Sequence, residues 1–345
     1  MVAPIGGDKD MDAPKLIGII DAESMKHVNA RILEFEFDES IQLNNWEEYF
    51  YISPPTKKRI QKKISGQKLS LTIQETLAEN TTYYLALNSC IKDNNEGNLL
   101  DTLKYIFSTS DDFDTLTISG KLQDAYTLNA IENAWVMLFN ESINDSLIFN
   151  TAPSYIAKTD KSGVFHFPNL NENNYTIVAL TDFDFIYNEE EKIAFFDTII
   201  NAEIDSFILL FAFDPVVVVD SANTDTIIKT DSIAAETLIC DTIKREEIPA
   251  GKLKIISSNK TSCIIQLLQN DKLIEEAFFA KPPYIIENIS PDKYQLKYIY
   301  DNNQDSSWTT GNWKNKIQAE KVINYPSEIT IRSNWDVELE WLIEE

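Results

Sequence analysis

Oxygen-bearing side chains recur at alternate positions in Asp301-x-Asn303-x-Asp305-x-Ser307-x-Thr309. Acceptors at the first, third and fifth positions of a loop suit a hard cation such as calcium, with Ser307 offering its backbone carbonyl. The sixth position is Ser306 rather than glycine and the twelfth is Asn312 rather than glutamate, so a bidentate carboxylate must come from elsewhere. The competing reading is an Asx-rich turn, in which the same side chains accept hydrogen bonds from their own backbone. A related loop, Asp182-x-Asp184-x-Ile186, has lost the third oxygen, with Asn188 and Glu189 as substitutes.

Two further groups could recognise a partner. Trp308 and Trp313 lie in the same polar loop, where aromatic rings beside acidic groups can stack on a sugar or anchor a protein. Lys57, Lys58, Arg59, Lys62 and Lys63 form a basic run in an acidic chain. They would dock an acidic partner or lipid headgroups, or they are edge-strand lysines that block unwanted pairing. The run has no interleaved aromatic residue, so a nucleic-acid role is not expected.

Catalysis has little to stand on. The sequence contains no G-x-S-x-G, H-E-x-x-H or G-x-x-x-x-G-K-[ST] pattern. His166 sits between two phenylalanines on a strand and is expected to face solvent, while His27 lies in a polar stretch. Cys90, Cys240 and Cys263 are too far apart and too few for a disulfide framework, and they read as buried thiols. No catalytic residue and no certain cofactor is assigned.

The elements that position these groups are strands. Leu33, Phe35 and Phe37 alternate with Glu34, Glu36 and Asp38; Leu69, Leu71 and Ile73 repeat the pattern, as do Tyr83, Leu85 and Leu87, and Val337, Leu339 and Trp341. A period of two puts one apolar face on a core and the other in water. Trp135–Phe139 is a continuous apolar run, and Trp46–Tyr51 reads as a short helical turn. Turn formers separate the runs, which predicts stacked β-sandwiches. Glycine is scarce, at 9 residues, so the 29 asparagines are the expected turn formers. The balance of 30 basic against 55 acidic residues, a net charge of −25, disfavours binding to phosphates or to an anionic membrane surface.

Residues 214–250 contain no aromatic side chain, with 8 acidic and 3 basic residues. They read as an acidic linker, with one β-prone run at Val216–Val219. On either side lies a repeat. Phe165-x-Phe167-x-Asn169-Leu170 followed by Tyr175-x-Ile177 recurs as Tyr284-x-Ile286-x-Asn288-Ile289 followed by Tyr294-x-Leu296, at a constant offset of 119. Such spacing predicts two modules of one type.

Family features coincide with this division. Gly6-Gly7-Asp8-Lys9-Asp10 with Ala13-Pro14-Lys15-Leu16 looks like the opening of Ig-like lipoproteins of Bacteroidota. Phe35-Glu36-Phe37-Asp38-Glu39, Ile52-Ser53-Pro54-Pro55, Leu77–Tyr83, Asp93-Asn94-Asn95-Glu96-Gly97-Asn98 and Phe107-Ser108-Thr109 resemble further motifs of that family, although Asp8 departs from the family proline. Ile118-Ser119-Gly120-Lys121-Leu122 through Asp182 is similar to a carboxypeptidase-regulatory-like, or transthyretin-like, sandwich, and Lys321–Pro326 with Asn334–Trp341 resembles the tail of such lipoproteins.

The expectation is therefore an all-β chain of tandem sandwiches. It comprises a tether (1–15), an Ig-like domain (16–112), a transthyretin-like domain (113–213), the linker (214–250) and a second transthyretin-like domain (251–345). The resemblance implies a non-catalytic outer-membrane lipoprotein on the cell-surface or periplasmic face, accessory to an envelope or β-barrel protein complex. Its membrane contact would be a lipid on a precursor cysteine ahead of the opening motif. The alternative is a calcium-dependent carbohydrate-binding surface lipoprotein using Trp308, Trp313 and the Asp301 loop, with a glycan as ligand.

Overall fold

The computed structural model describes residues 9–20, 25–26, 32–140, 151–181, 185, 187–188, 190–215, 250–259 and 261–343. The linker reading at 216–249, the Asp182 loop apart from Asn188, His27, Cys240 and the Gly6-Gly7 motif lie outside the described residues. By packing, the chain divides into two compact units, Met1–Asp124 with Asn129–Ala212, and Ala125–Leu128 with Phe213–Glu345.

The first unit begins with β1 (Leu16–Ile20), β2 (Ile32–Phe37), β3 (Ile41–Leu43), helical turn α1 (Trp46–Tyr49), β4 (Phe50–Ser53), β5 (Gln61–Ser65), β6 (Lys68–Thr72), β7 (Thr82–Leu87), β8 (Ile91–Asp93) and β9 (Lys104–Ser108). Antiparallel sheets β1-β2-β6-β5 and β4-β7-β9 are accompanied by the pair β3-β8. Leu33, Phe35, Phe37, Leu69, Leu71, Leu85 and Phe107 turn inward to one core, as the alternation predicts. The same unit continues with β10 (Leu116–Asp124), β11 (Trp135–Asn140), β12 (Tyr155–Lys158), β13 (Val164–Leu170), β14 (Asn174–Leu180), β15 (Ile193–Phe195), β16 (Ile200–Asn201) and β17 (Phe207–Ala212). These form sheets β13-β10-β17 and β12-β11-β14-β15, with β16 also on β14.

The second unit contains β18 (Gly251–Ser257), β19 (Cys263–Gln269), β20 (Lys272–Phe279), β21 (Tyr284–Ile289), β22 (Lys293–Tyr300), β23 (Val322–Asn324), β24 (Ile329–Thr330) and β25 (Asp336–Trp341). Its sheets are β21-β18-β25 and β20-β19-β22-β23, with β24 also on β22. Strand for strand this is the plan of β10–β17, including a parallel first–last pair, β10 with β17 and β18 with β25.

The repeated residues have a shared physical role. Between Phe167 and Leu170, and between Ile286 and Ile289, the register against β10 or β18 slips at a bulge. Asn169 and Asn288 occupy it with φ of 56° and 60°, a left-handed conformation that asparagine tolerates better than most residues. Tyr175 and Tyr294 then close a corner: their hydroxyls donate to the carbonyls of Asn171 and Ser290, at 3.1 and 2.9 Å. Asparagine also supplies Asn45, Asn80, Asn133, Asn270 and Asn334 at positive φ. Tyr294→Phe should keep the packing and lose one hydrogen bond, costing about 0.5–1.5 kcal/mol in denaturant unfolding; an unchanged midpoint would show that the corner contributes nothing.

Inside the first unit the two halves are joined by specific contacts. The Ile156 N–H donates to Ser53 Oγ at 3.0 Å, Lys158 Nζ donates to the Glu48 carbonyl, and Tyr51 meets Trp135 edge-on at 5.7 Å between ring centres. At the connection, Thr82 N–H donates to Asp114 Oδ2 and Asp114 N–H to Thr82 Oγ1, at 3.1 and 2.8 Å. The outward side of β11 is therefore buried as well, which accounts for its continuous apolar run.

Candidate functional site

The Asp301 loop leaves the end of β22 with Asp301 fully buried. Its Oδ1 accepts the Asp305 N–H and its Oδ2 the Ser306 N–H, both at 3.1 Å. Asp305 Oδ1 accepts both the N–H and the hydroxyl of Ser307, at 2.8 Å each. Asp305 Oδ2 accepts from Asn303 Nδ2 at 2.9 Å and from the Thr309 hydroxyl at 3.3 Å. Hydrogen bonding from Ser307 leads the effects that hold the Asp305 carboxyl below its ordinary pKa. All four carboxylate oxygens thus accept donors of the loop itself, the arrangement of the Asx-turn reading.

A buried carboxylate from elsewhere does reach the loop. Glu320 takes the Asn302 N–H on Oε1 at 2.7 Å and the Thr309 N–H on Oε2 at 2.9 Å, clamping both ends. The sequence gives no signal for this residue, because nothing in Gln318-Ala319-Glu320-Lys321 marks a ligand or a cap. Among the described residues, no three His, Cys, Asp or Glu side chains come together as a metal cluster. Asp301, Asn303, Asp305 and Ser307 do lie on one short loop, but they bond to its backbone and to one another. Changing from EDTA to about 5 mM calcium should leave the melting temperature of the chain unchanged, whereas a millimolar site would add roughly 1 kcal/mol; a rise of several degrees would show that the cation binds.

The two tryptophans of this loop part company. Trp308 is half-buried; its Nε1 donates to the Glu320 carbonyl at 3.0 Å, and its ring lies 5.0 Å from Tyr126. Trp313 corrects the expectation of an exposed aromatic, since it is only 3% accessible. The tight turn Asn312–Ile317, with reciprocal backbone bonds of 2.7 and 2.9 Å, folds its ring inward, and Lys316 covers it. A sugar platform built from Trp308 and Trp313 is therefore not formed, and the carbohydrate reading loses its aromatic surface.

The basic run is dispersed around β5, an edge of its sheet. Glu47 pairs with Arg59 and Lys62, both at 2.6 Å; hydrogen bonding to Lys62 is foremost among the effects that lower the Glu47 pKa. Glu75 receives the backbone N–H groups of Lys57 and Lys58 at 2.8 and 3.1 Å. Lys62 also lies over the Trp46 ring. Lys63 stays exposed on the edge strand, where a charge deters strand addition. Arg59, Lys62 and Lys63 line an open concavity of 530 Å³ with Glu47, so the surface is mixed in sign.

The remaining reactive groups are quiet. Burial pushes the Cys90 thiol up to about 12 and the Cys263 thiol up to about 11, so neither is a thiolate nucleophile at neutral pH. His166 is exposed, sharing a 2.8 Å hydrogen bond with Ser119 Oγ.

The Asp93-Asn94-Asn95-Glu96-Gly97-Asn98 motif resolves into a turn around one carboxylate. Asp93 Oδ1 accepts the N–H groups of Asn95, Glu96 and Gly97, and Oδ2 that of Asn98, at 2.6–2.9 Å. Burial alone would raise its pKa, but these donors outweigh burial and hold it below the ordinary value. A depressed pKa stabilises the fold above the unfolded value, and that contribution is lost as the pH falls through the folded value. Asp93→Asn should thus be less stable at pH 7 and lose less on acidification than the parent in pH-dependent unfolding. Parallel curves would refute it.

No curated protein sequence matches the chain. Among solved structures it is similar to the Bacillus anthracis TIE protein (11% identity, TM-score 0.18), covering 99% of this chain and 59% of that one. The N-terminal part of the bacterial S-layer protein SbsC gives 13% identity and a TM-score of 0.20 over 50% of this chain and 42% of that one. The minor pilin GBS52 of Streptococcus agalactiae gives 11% identity and a TM-score of 0.20 over 66% and 95%. The chain thus spans about three fifths of the TIE protein. The sheets β1-β2-β6-β5 and β4-β7-β9 and the Asp93 turn fall in the segment with a family match: residues 10–109 match the bacterial Ig-like domain family.

Proposed function

We propose that this chain is a non-catalytic structural and binding subunit of a bacterial cell envelope. In the finer reading it is an outer-membrane-anchored lipoprotein, accessory to an envelope or β-barrel protein complex. The observation that carries the proposal is the bacterial Ig-like match over residues 10–109, continued by two copies of one eight-strand plan. Such modules present loops and strand edges for partners at fixed positions, and an acidic surface keeps them soluble.

The chemistry of the candidate loops agrees with a non-catalytic role. Their carboxylates hold backbone N–H groups, and the described cysteines are buried thiols whose pKa burial raises above the ordinary value. Affinity purification of the tagged native protein from detergent-solubilised envelopes, followed by mass spectrometry, tests the reading. Enrichment of an outer-membrane barrel protein is expected, with the tagged protein itself in the membrane fraction and labelled by a fatty-acid probe. Recovery in the soluble fraction without lipid or envelope partner would overturn it.

A further inference from the structure

The two eight-strand modules differ sharply at one equivalent place. In the second unit, the outward residues of β25 are Asp336, Glu338 and Glu340, on a sheet face crossed by Lys254–Glu338 and Lys252–Glu287 ion pairs of 3.0 and 2.8 Å. The corresponding strand of the first unit, β17, reads Phe-Ile-Leu-Leu-Phe-Ala and has no charged residue. Ile208, Leu210 and Ala212 enter the core, whereas Phe207, Leu209 and Phe211 point outward and are 59, 46 and 37% exposed. Ile199 and Ile204, just before the strand, are also exposed.

Among the described strands β17 hydrogen-bonds with β10 alone; β15 of the facing sheet packs close to it, but no described strand hydrogen-bonds to its other edge. The Ser206 carbonyl accepts from Ser119 of β10. Backbone groups alternate along a strand, so those of Phe207, Leu209 and Phe211 face the open edge. The residues with exposed apolar side chains are also the ones with outward backbone donors and acceptors. Edges are ordinarily protected by charge, proline, a bulge or brevity; β5 has Lys62 and Lys63, while β17 has six regular residues with none of these devices.

We infer that β17 is a self-association edge, its partner being β17 of a second copy of this chain. The occupant follows from the strand's own symmetry. Phe207-x-Leu209-x-Phe211 reads the same in both directions, as an isologous contact requires. An antiparallel pair with its two-fold axis at Leu209 sets Leu209 against Leu209 of the other copy, and each Phe207 against a Phe211. All three outward residues then meet apolar partners across hydrogen-bonded positions, and the two three-stranded sheets become one of six. No acidic side chain stands at the seam, although each copy carries a net charge of −25. Repulsion between the copies is therefore long-range and screened by salt. The inference does not rest on the envelope reading.

Sedimentation of the full chain up to about 300 µM tests it, a concentration at which a micromolar dimer is saturated. A reversible dimer is expected, strengthened rather than weakened by added salt. Leu209→Lys sets two cations together on the axis and should weaken dimerisation at least ~100-fold with an unchanged circular dichroism spectrum. Ile256→Lys, on the outer face of the equivalent sheet in the second unit, should leave it intact. In a Cys240→Ser background, Leu209→Cys should oxidise to a covalent dimer in higher yield than Phe207→Cys, because only residue 209 meets itself. A chain that stays monomeric throughout, or a Leu209→Lys variant that associates like the parent, would overturn the inference.

Discussion

Gly120→Ala is expected to damage the first unit severely for a single added methyl, costing about 3 kcal/mol or more. A β-carbon at Gly120 would stand 2.2 Å from the Ile208 carbonyl oxygen and 2.2 Å from Phe165 Cζ, with Phe165 Cε1 at 2.8 Å. A ring shift would relieve the side-chain contacts alone, but the oxygen belongs to the backbone of β17, which is paired residue by residue to β10. Relief therefore requires separating the two strands. Thermal unfolding should shift down by roughly 6–12 °C for a unit of this size. Phe165→Leu in the same chain should restore only part of the loss, since the carbonyl remains in place. Full rescue by Phe165→Leu, or a shift within 2 °C, would show that the strand yields without cost.

Glu320→Ala should have the next largest effect, about 2–5 kcal/mol in the second unit, because two backbone N–H groups lose their acceptor together. Glu320 closes the Asp301 loop by binding Asn302 and Thr309, while its own backbone carbonyl receives Trp308 Nε1. Hydrogen exchange at the Asn302 and Thr309 amides should accelerate most. Glu320→Gln should fall between the parent and the alanine variant, as an amide oxygen can serve only one of the two donors and its NH2 opposes the other. Exchange unchanged at both amides would remove the clamp from the account.

Glu320 also marks where sequence reading stops. The strands were legible because burial imposes a period of two: Phe35, Phe37, Leu69 and Leu71 face one core as their spacing requires. The duplicated module was legible because the bulge asparagine and the corner tyrosine each satisfy a local backbone demand that few other residues meet. Glu320 satisfies a demand too, but the groups it serves lie 18 and 11 residues earlier, and no local pattern records that distance. Trp313 misleads for the same reason. Its neighbours are polar, yet the turn to Ile317 reverses the chain and puts the ring inside. The basic run overstated its charge because Glu47, in the α1 turn, is far from Arg59 and Lys62 in sequence and close in space.

The parallel pairing of first and last strands has a mechanical consequence. In each eight-strand module the chain enters along one member of the pair and leaves along the other in the same direction, over six matched residue pairs. Tension applied between entry and exit therefore runs along the strands and shears these pairs together, instead of peeling them apart one at a time.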